Sequence, residues 1–378
     1  MKKNILLIVC SLIVALLAAE LVVRILVPAE IVDDPILGHR IGKKATYDAN
    51  GFRNDAIPKG DVDLVALGDS QTEGNNAPTP KEAWPQQYGA LAGVSVYQMA
   101  VGGYSPVQYS VLIDKALAMH PKTVAVGLYF GNDLLEVHRI VYGNEYWKHL
   151  RRADFVSEEW VEGADEFRTI LQTGLSPDSF EYKVYKIRTW IRGHVKLYAL
   201  TGNATRQLRE RLGLAETKKE KIEQIADFAK ENESVVYNSE LPGRESILSP
   251  SYRLDTVSLG YANAAEGWRI SQELLREIKA KTEAVGARFV LLVIPTKERV
   301  YLEAEVPPVF EEYLRAENEL AEATKTFCAE EKMTCIFALE EMGKALTGGT
   351  QIYGKTMDGH PIPAGYAAIA RAVYAALQ

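Results

Sequence analysis

Cysteine is scarce in this chain, with three in 378 residues, at positions 10, 328 and 335. No Cys-x-x-Cys pair and no His-Glu-x-x-His run occurs, so the sequence gives no support to a metal site. None of its motifs calls for a cofactor. A basic block is also missing, and the net charge of −7 is mildly acidic, which argues against nucleic acid as a partner. Neither low-complexity tracts nor internal repeats are found. What remains is ordinary globular composition, 47% apolar and 25% charged, in a chain long enough to bury a full core.

One long hydrophobic run is present. Lys2-Lys3 precedes an almost continuous apolar stretch from Ile5 to Ala19, which resumes through Val27. As a helix from Ile5 to Val27 it is about 34 Å long at ~1.5 Å per residue, enough for a bilayer core of ~30 Å. Glu20 and Arg24 stand four apart on one face and are positioned to pair near the far interface. Leu17 fills the place where a signal-peptide cut after Ala19 needs a small residue. We therefore read residues 1–28 as an uncleaved anchor that meets the bilayer through residues 4–27, with a cleaved signal peptide as the alternative. Lys2 and Lys3 then put the N-terminus in the cytoplasm and the remainder in the periplasm or outside the cell. Cys10 reads as a small apolar side chain in this run. Cys328 and Cys335, seven apart, allow either a disulfide or two buried thiols.

Residues 29–60 read as an extended approach to a domain spanning 61–378. Short apolar runs rich in β-branched residues predict strands at Val62–Leu67, Val94–Val101, Thr123–Phe130, Arg288–Ile294 and Met333–Leu339. Helical patterns fall between and after them, at Pro80–Leu91, Val107–Met119, Ala262–Val285, Val309–Glu330 and Ala364–Leu377. This alternation predicts an α/β fold with a doubly wound, mainly parallel five-stranded sheet. Residues from about 140 to 258 break the pattern as a helical insert, with a charged stretch from Arg206 to Glu233. Asn203 and Asn232 fit a glycosylation pattern that is common by chance.

In such sheets a site lies beyond the carboxyl ends of the strands. Ser70 directly follows the first of them, within Gly68-Asp69-Ser70. Near the C-terminus comes Asp358-Gly359-His360. A serine hydroxyl needs an adjacent base to become a nucleophile, and a histidine acting as that base needs an anion to orient it. Ser70, His360 and Asp358 are therefore the candidate catalytic residues. Taken singly, Asp-Ser after a strand is often only a helix cap, and Asp-Gly-His only a turn. His39, His120, His138, His149 and His194 lack such company and read as surface or satisfied side chains.

Gly68-Asp69-Ser70, Gly102-Gly103, Gly131-Asn132-Asp133 and Asp358-Gly359-His360 resemble, in order, the four blocks of the SGNH (GDSL-type) hydrolases. Many members place two residues between the last Asp and His, whereas only Gly359 stands there in this chain. Asn50-Gly51-Phe52-Arg53 and Ile294-Pro295-Thr296-Lys297 are similar to segments of membrane-anchored bacterial members that acylate cell-surface glycans. The resemblance implies a flavodoxin-like three-layer sandwich and acyl-ester chemistry. It also implies a possible multi-spanning membrane acyltransferase as partner.

Acyl transfer passes through an oxyanion that needs preorganised donors. The candidates are the backbone N–H groups of Ser70 and Gly103 and the carboxamide of Asn132, with Gly102 as the alternative to Gly103. Asp69 and Asp133 read as structural acceptors. Trp84 and Tyr104 fit either a pocket wall or simple packing, and Arg53 and Lys297 read as surface charge. Three functions follow from this. The first is a serine esterase removing an acyl group, most simply acetyl, from a carbohydrate or other small ester. The second is an acyltransferase working on a surface polysaccharide through the same acyl-serine. The third is a silent glycan-binding or assembly subunit.

Overall fold

Buried runs of Val, Leu, Ile and Ala set the architecture. A computed structural model of the chain describes residues 2–27, 30–42, 44, 46–158, 178–198, 201–202, 212, 237–239, 244–302 and 308–378. Helix α1 is Lys2–Leu26, followed by strands β1 (Ile31–Asp34), β2 (Gly38–Ile41) and β3 (Leu64–Gly68). Next come α2 (Ser70–Glu73), α3 (Trp84–Ala92), β4 (Val96–Ala100), α4 (Pro106–Leu117), β5 (Thr123–Tyr129) and α5 (Asp133–Gly143). The middle holds α6 (Phe180–His194), β6 (Tyr237–Ser239), β7 (Ser246–Leu248) and α7 (Pro250–Val257). The chain continues with α8 (Ala262–Ala284), β8 (Arg288–Ile294), α9 (Lys297–Leu302) and α10 (Glu311–Glu330). It finishes with β9 (Thr334–Phe337), α11 (Leu339–Thr347) and α12 (Pro363–Leu377).

Two compact units emerge, Met1–Glu30 with Val161–Asp227, and Ile31–Trp160 with Phe228–Gln378. The larger contains a five-stranded parallel sheet in the order β4-β3-β5-β8-β9. That order reverses direction beside β3, so the crevice at its carboxyl end is where a site is expected. β3 is buried throughout and β5 and β8 from their second residues onward, as a sheet covered on both faces requires. All five expected strands are present, each within two residues or so of the expected bounds. Ser105 starts α4 with a capping box closed by Gln108, and Pro106 supplies the preset first turn.

The approach segment holds a hairpin in place of a purely extended chain. β1 and β2 pair antiparallel from Ile31–Ile41 to Asp34–Gly38, around a turn in which Asp34 accepts the N–H groups of Ile36 and Leu37 at 2.9 Å. Cys328 and Cys335 form a disulfide between α10 and β9. In the smaller unit, α1 exposes Leu7, Leu12, Ile13, Val14, Leu16, Leu17, Leu21, Val22, Ile25 and Leu26. Of its first eight residues only Leu7 has a described side chain, and among the described residues no helix is long and apolar enough to cross a membrane. Almost all of Arg206 to Glu233, with Asn203 and Asn232, lies outside the described residues.

Packing of α8 on α5 depends on one missing side chain. A Cβ at Gly267 would stand 1.9 Å from the Leu134 carbonyl oxygen, at the start of the helix that follows Asn132. Gly267→Ala is therefore expected to lower stability by about 1–3 kcal/mol through forced separation of the two helices. Urea unfolding checks this, and an unchanged midpoint would contradict so close an approach.

Candidate active site

The site begins where β3 ends. Asp69 caps α2, its carboxylate accepting the Gln71 N–H at 2.8 Å, and the chain leaves the helix at Gly74 in a left-handed conformation, φ 82°. A side chain at Gly74 would strike the Ala83 methyl, so this tight exit suits glycine on both counts. The short helix sets Ser70 at the sheet edge, 7% exposed.

The structure brings Ser70, His360 and Asp358 together. His360 Nε2 lies 2.8 Å from Ser70 Oγ, and its Nδ1 lies 2.5 Å from Asp358 Oδ1. The same carboxylate oxygen accepts the His360 backbone N–H at 3.0 Å. A spacing with one intervening residue thus forms an Asx-type turn in which one oxygen fixes both backbone and ring. Gly359 has little room to be anything else: its Cβ would stand 2.9 Å from an Arg253 guanidinium nitrogen and 3.1 Å from the Tyr129 hydroxyl. Partial burial pushes the Asp358 pKa up. Hydrogen bonding and charge from His360, with Asn76, overcome it and hold the carboxyl well below the usual carboxylate range. The group is an anion at any working pH, as an orienter of imidazolium must be.

The two glycines of the second block separate clearly. Gly102 donates its N–H to Glu73 Oε2 at 2.6 Å, and that carboxylate is braced in turn by the Tyr47 hydroxyl. Gly103 adopts φ 80°, and among the described residues no acceptor takes its N–H. Gly103 is therefore the open donor of the pair. The Ser70 N–H is the first of α2 and has no place in the helix ladder. Asn132 stands at the N-cap position of α5 without a capping bond from its side chain; its carboxamide favours the anion of the buried Asp69, and its Oδ1 has no partner among the described residues.

Asp69 and Asp133 lie behind these groups. Burial pushes Asp69 up to about 6, against the Gln71 N–H and the His360 charge that favour its anion. Burial and the neighbouring Asp69 charge push Asp133 well above the ordinary range. Asp133 accepts the Tyr129 N–H at 2.9 Å, and Asp69 lies 3.3 Å from Ser70 Oγ. Both serve as internal acceptors that hold β5, α2 and Asn132 in place.

Several contributors were not legible as such. Asn76 donates to Asp358 Oδ2 at 2.9 Å and to the His360 carbonyl at 3.0 Å, and Gln71 donates to the Gly359 carbonyl at 3.2 Å. Nothing in the linear chain links these residues to the C-terminal turn. Arg253 donates to the Gly131 carbonyl at 3.0 Å. Arg53 and Lys297, read as surface charge, are buried instead. Arg53 donates to the carbonyls of Glu73, Gly74 and Ala77, closing the exit from α2. Lys297 is 0% exposed and donates to the carbonyls of Ile247 and Thr356, each at 2.7 Å. Thr356 then accepts the Asp358 N–H through its hydroxyl at 3.2 Å. Trp84 and Tyr104 are core residues, Trp84 donating to Thr72 and Tyr104 to the His39 carbonyl. His39 is satisfied, its Nε2 3.1 Å from the Gly102 carbonyl.

No family model matches the chain, and no curated protein does. Among solved structures, a catalytic mutant of an acetylxylan esterase from Geobacillus stearothermophilus is 10% identical. The match covers 85% of this chain and 96% of that one, with a TM-score of 0.39. A phospholipase A1 from Streptomyces albidoflavus is 14% identical over 84% of this chain and 98% of that one, at 0.38. A protein described as of the G-D-S-L lipolytic family, from Desulfitobacterium hafniense, is 11% identical over 83% and 98%, also at 0.38. Likenesses this distant carry no functional argument.

Burial lowers the Lys297 pKa to about 8. Between about 8 and its ordinary value near 10.4 the unfolded chain binds the extra proton, so stability from this residue rises with pH across that window. Comparison of wild type with Lys297→Met by urea unfolding at pH 7.5 and 10.5 should show the difference moving toward wild type by on the order of 2–3 kcal/mol. A difference that ignores pH would contradict the buried ammonium.

Proposed function

We propose that the chain is a serine-dependent acyl-ester hydrolase of SGNH type, acting on acylated carbohydrate. The observation that carries this is the linked contact of Asp358 with His360 and of His360 with Ser70, at 2.5 and 2.8 Å, beside two open backbone donors and a carboxamide. Ser70 Oγ attacks the ester carbonyl carbon and its proton passes to His360 Nε2. Asp358 stabilises the imidazolium through Nδ1. Charge developing on the carbonyl oxygen falls toward the N–H groups of Ser70 and Gly103 and toward Asn132. Collapse releases the sugar hydroxyl, which takes the proton from His360 and leaves acyl-Ser70. Water, deprotonated by His360, then frees the acid. We take the acyl group to be acetyl.

A second reading keeps the acyl-Ser70 intermediate but takes the acyl group from a donor presented by a multi-spanning acyltransferase, whose leaving group takes the proton from His360; a polysaccharide hydroxyl, deprotonated by His360, then replaces water. It is favoured by the burial of Arg53 and Lys297, because those segments resemble anchored glycan-acylating proteins and here brace the site. In both readings α1 anchors the chain, with residues 4–27 in the bilayer, the N-terminus cytoplasmic and the site periplasmic or extracellular. Support for this comes from the exposed apolar side chains along α1.

A chromogenic acetyl ester with wild-type protein and variants tests the chemistry. Ser70→Ala is expected to lower turnover by about 10³-fold or more, and Asn132→Ala by about 10²–10³. Asn76→Ala, which frees the Asp358 turn, should cost roughly 10-fold to 100-fold in kcat with little change in KM. Full activity in pure, folded Ser70→Ala would sink the proposal. Acetyl on Ser70 that persists until a glycan is added would favour transfer, and no labelling of folded protein would favour a binding role.

A further inference from the structure

Helix α6 begins at Ser179, whose hydroxyl accepts the Tyr182 N–H at 3.1 Å, and it buries none of its residues. Phe180 is 75% exposed, Ile187 59% and Trp190 62%. At 100° per residue these three fall on one face. Lys186 and Arg188 flank that face, Lys183 stands within it between Trp190 and Ile187, and Arg192 lies toward the far side, with Glu181 the single acidic residue of the helix. Apolar and aromatic residues on one face with basic ones beside it suit the boundary of a membrane with anionic headgroups.

A second observation places this helix. Glu20 and Arg24, the two charges inside the apolar run of α1, are both engaged by the segment that ends α6. Glu20 accepts the N–H groups of Lys196 and Leu197 at 3.0 and 2.8 Å. Arg24 bonds Glu20 at 2.7 Å and donates to the His194 carbonyl at 2.5 Å. Lys196 Nζ donates to the Val27 carbonyl, one residue past the end of α1, at 2.9 Å. The carboxyl end of α6 is thereby fastened to the last two turns of α1. In a chain anchored by α1, those turns meet the membrane surface.

We propose that α6 lies on the outer membrane surface, with Phe180, Ile187 and Trp190 among the acyl chains and its Lys and Arg residues on anionic lipid headgroups. This rests on the anchor reading above. The occupant is lipid because the end of α6 is fastened to the last turns of α1 and the basic residues of α6 match the charge of anionic headgroups.

The full chain, reconstituted into vesicles of phosphatidylcholine with one-third phosphatidylglycerol, provides the test. Flotation is measured first. Failure to float with the vesicles after alkaline wash overturns the anchor reading and this one with it. In floating protein, brominated lipid should quench wild-type fluorescence at least twofold more than that of Trp190→Phe. The excess should shrink in Lys183→Glu/Lys186→Glu and in vesicles lacking phosphatidylglycerol. Trp190 open to aqueous acrylamide but untouched by brominated lipid would overturn the proposal while leaving the anchor intact. Protection from both quenchers would assign the face to a protein or a second copy, and would also overturn it.

Discussion

Everything at the sheet edge turns on the Asp358 carboxylate. One of its oxygens holds the ring and the backbone of His360, and the other is held by Asn76 from the loop after α2. That single group fixes the imidazole's orientation and joins the C-terminal turn to the segment bearing Ser70. A carboxylate can do this only as an anion, because a proton would remove an acceptor position. Its neighbours are arranged to keep that proton off.

Around this point lies a shell of buried polar side chains, and their common target is backbone carbonyls. Arg53 closes the carbonyls at the exit of α2, Arg253 takes that of Gly131, and Lys297 takes those of Ile247 and Thr356. Strand ends and tight turns leave carbonyls without ladder partners, and burying them unmet costs free energy. Long cationic side chains reach these oxygens from neighbouring elements. The loops that present Ser70, Asn132 and His360 are thereby held by donors rooted in the approach segment and in α7 and α9.

Local signals announced the sheet well. Runs such as Leu64–Gly68 and Arg288–Ile294 carry apolar residues on both faces, which few structures other than a covered parallel strand can use. Ser70, the Gly102-Gly103 pair and Asn132 each directly follow one of these apolar runs, which is enough to put them at the carboxyl edge of the sheet. Other features needed three dimensions. The choice between Gly102 and Gly103 depends on Glu73 occupying the first N–H, a contact across the β3–β4 edge. Asn76 acts on a turn 282 residues away, and Lys297 looks like any surface lysine until Ile247 and Thr356 close over it. The hairpin at Ile31–Ile41 escaped notice because its strands are short and only half covered.

The disulfide between Cys328 and Cys335 ties the end of α10 to β9, which is the edge strand of the sheet and only four residues long. A strand this short has few side chains to define its alignment with β8. Sliding it by one residue would turn Cys335 to the opposite face, out of reach of Cys328. Closed across a sequence separation of seven, the bond keeps Cys335, which stands opposite Leu291, beside the end of α10. It is a covalent restraint on strand register, because a shifted β9 would have to carry Cys335 away from the helix end to which it is bonded.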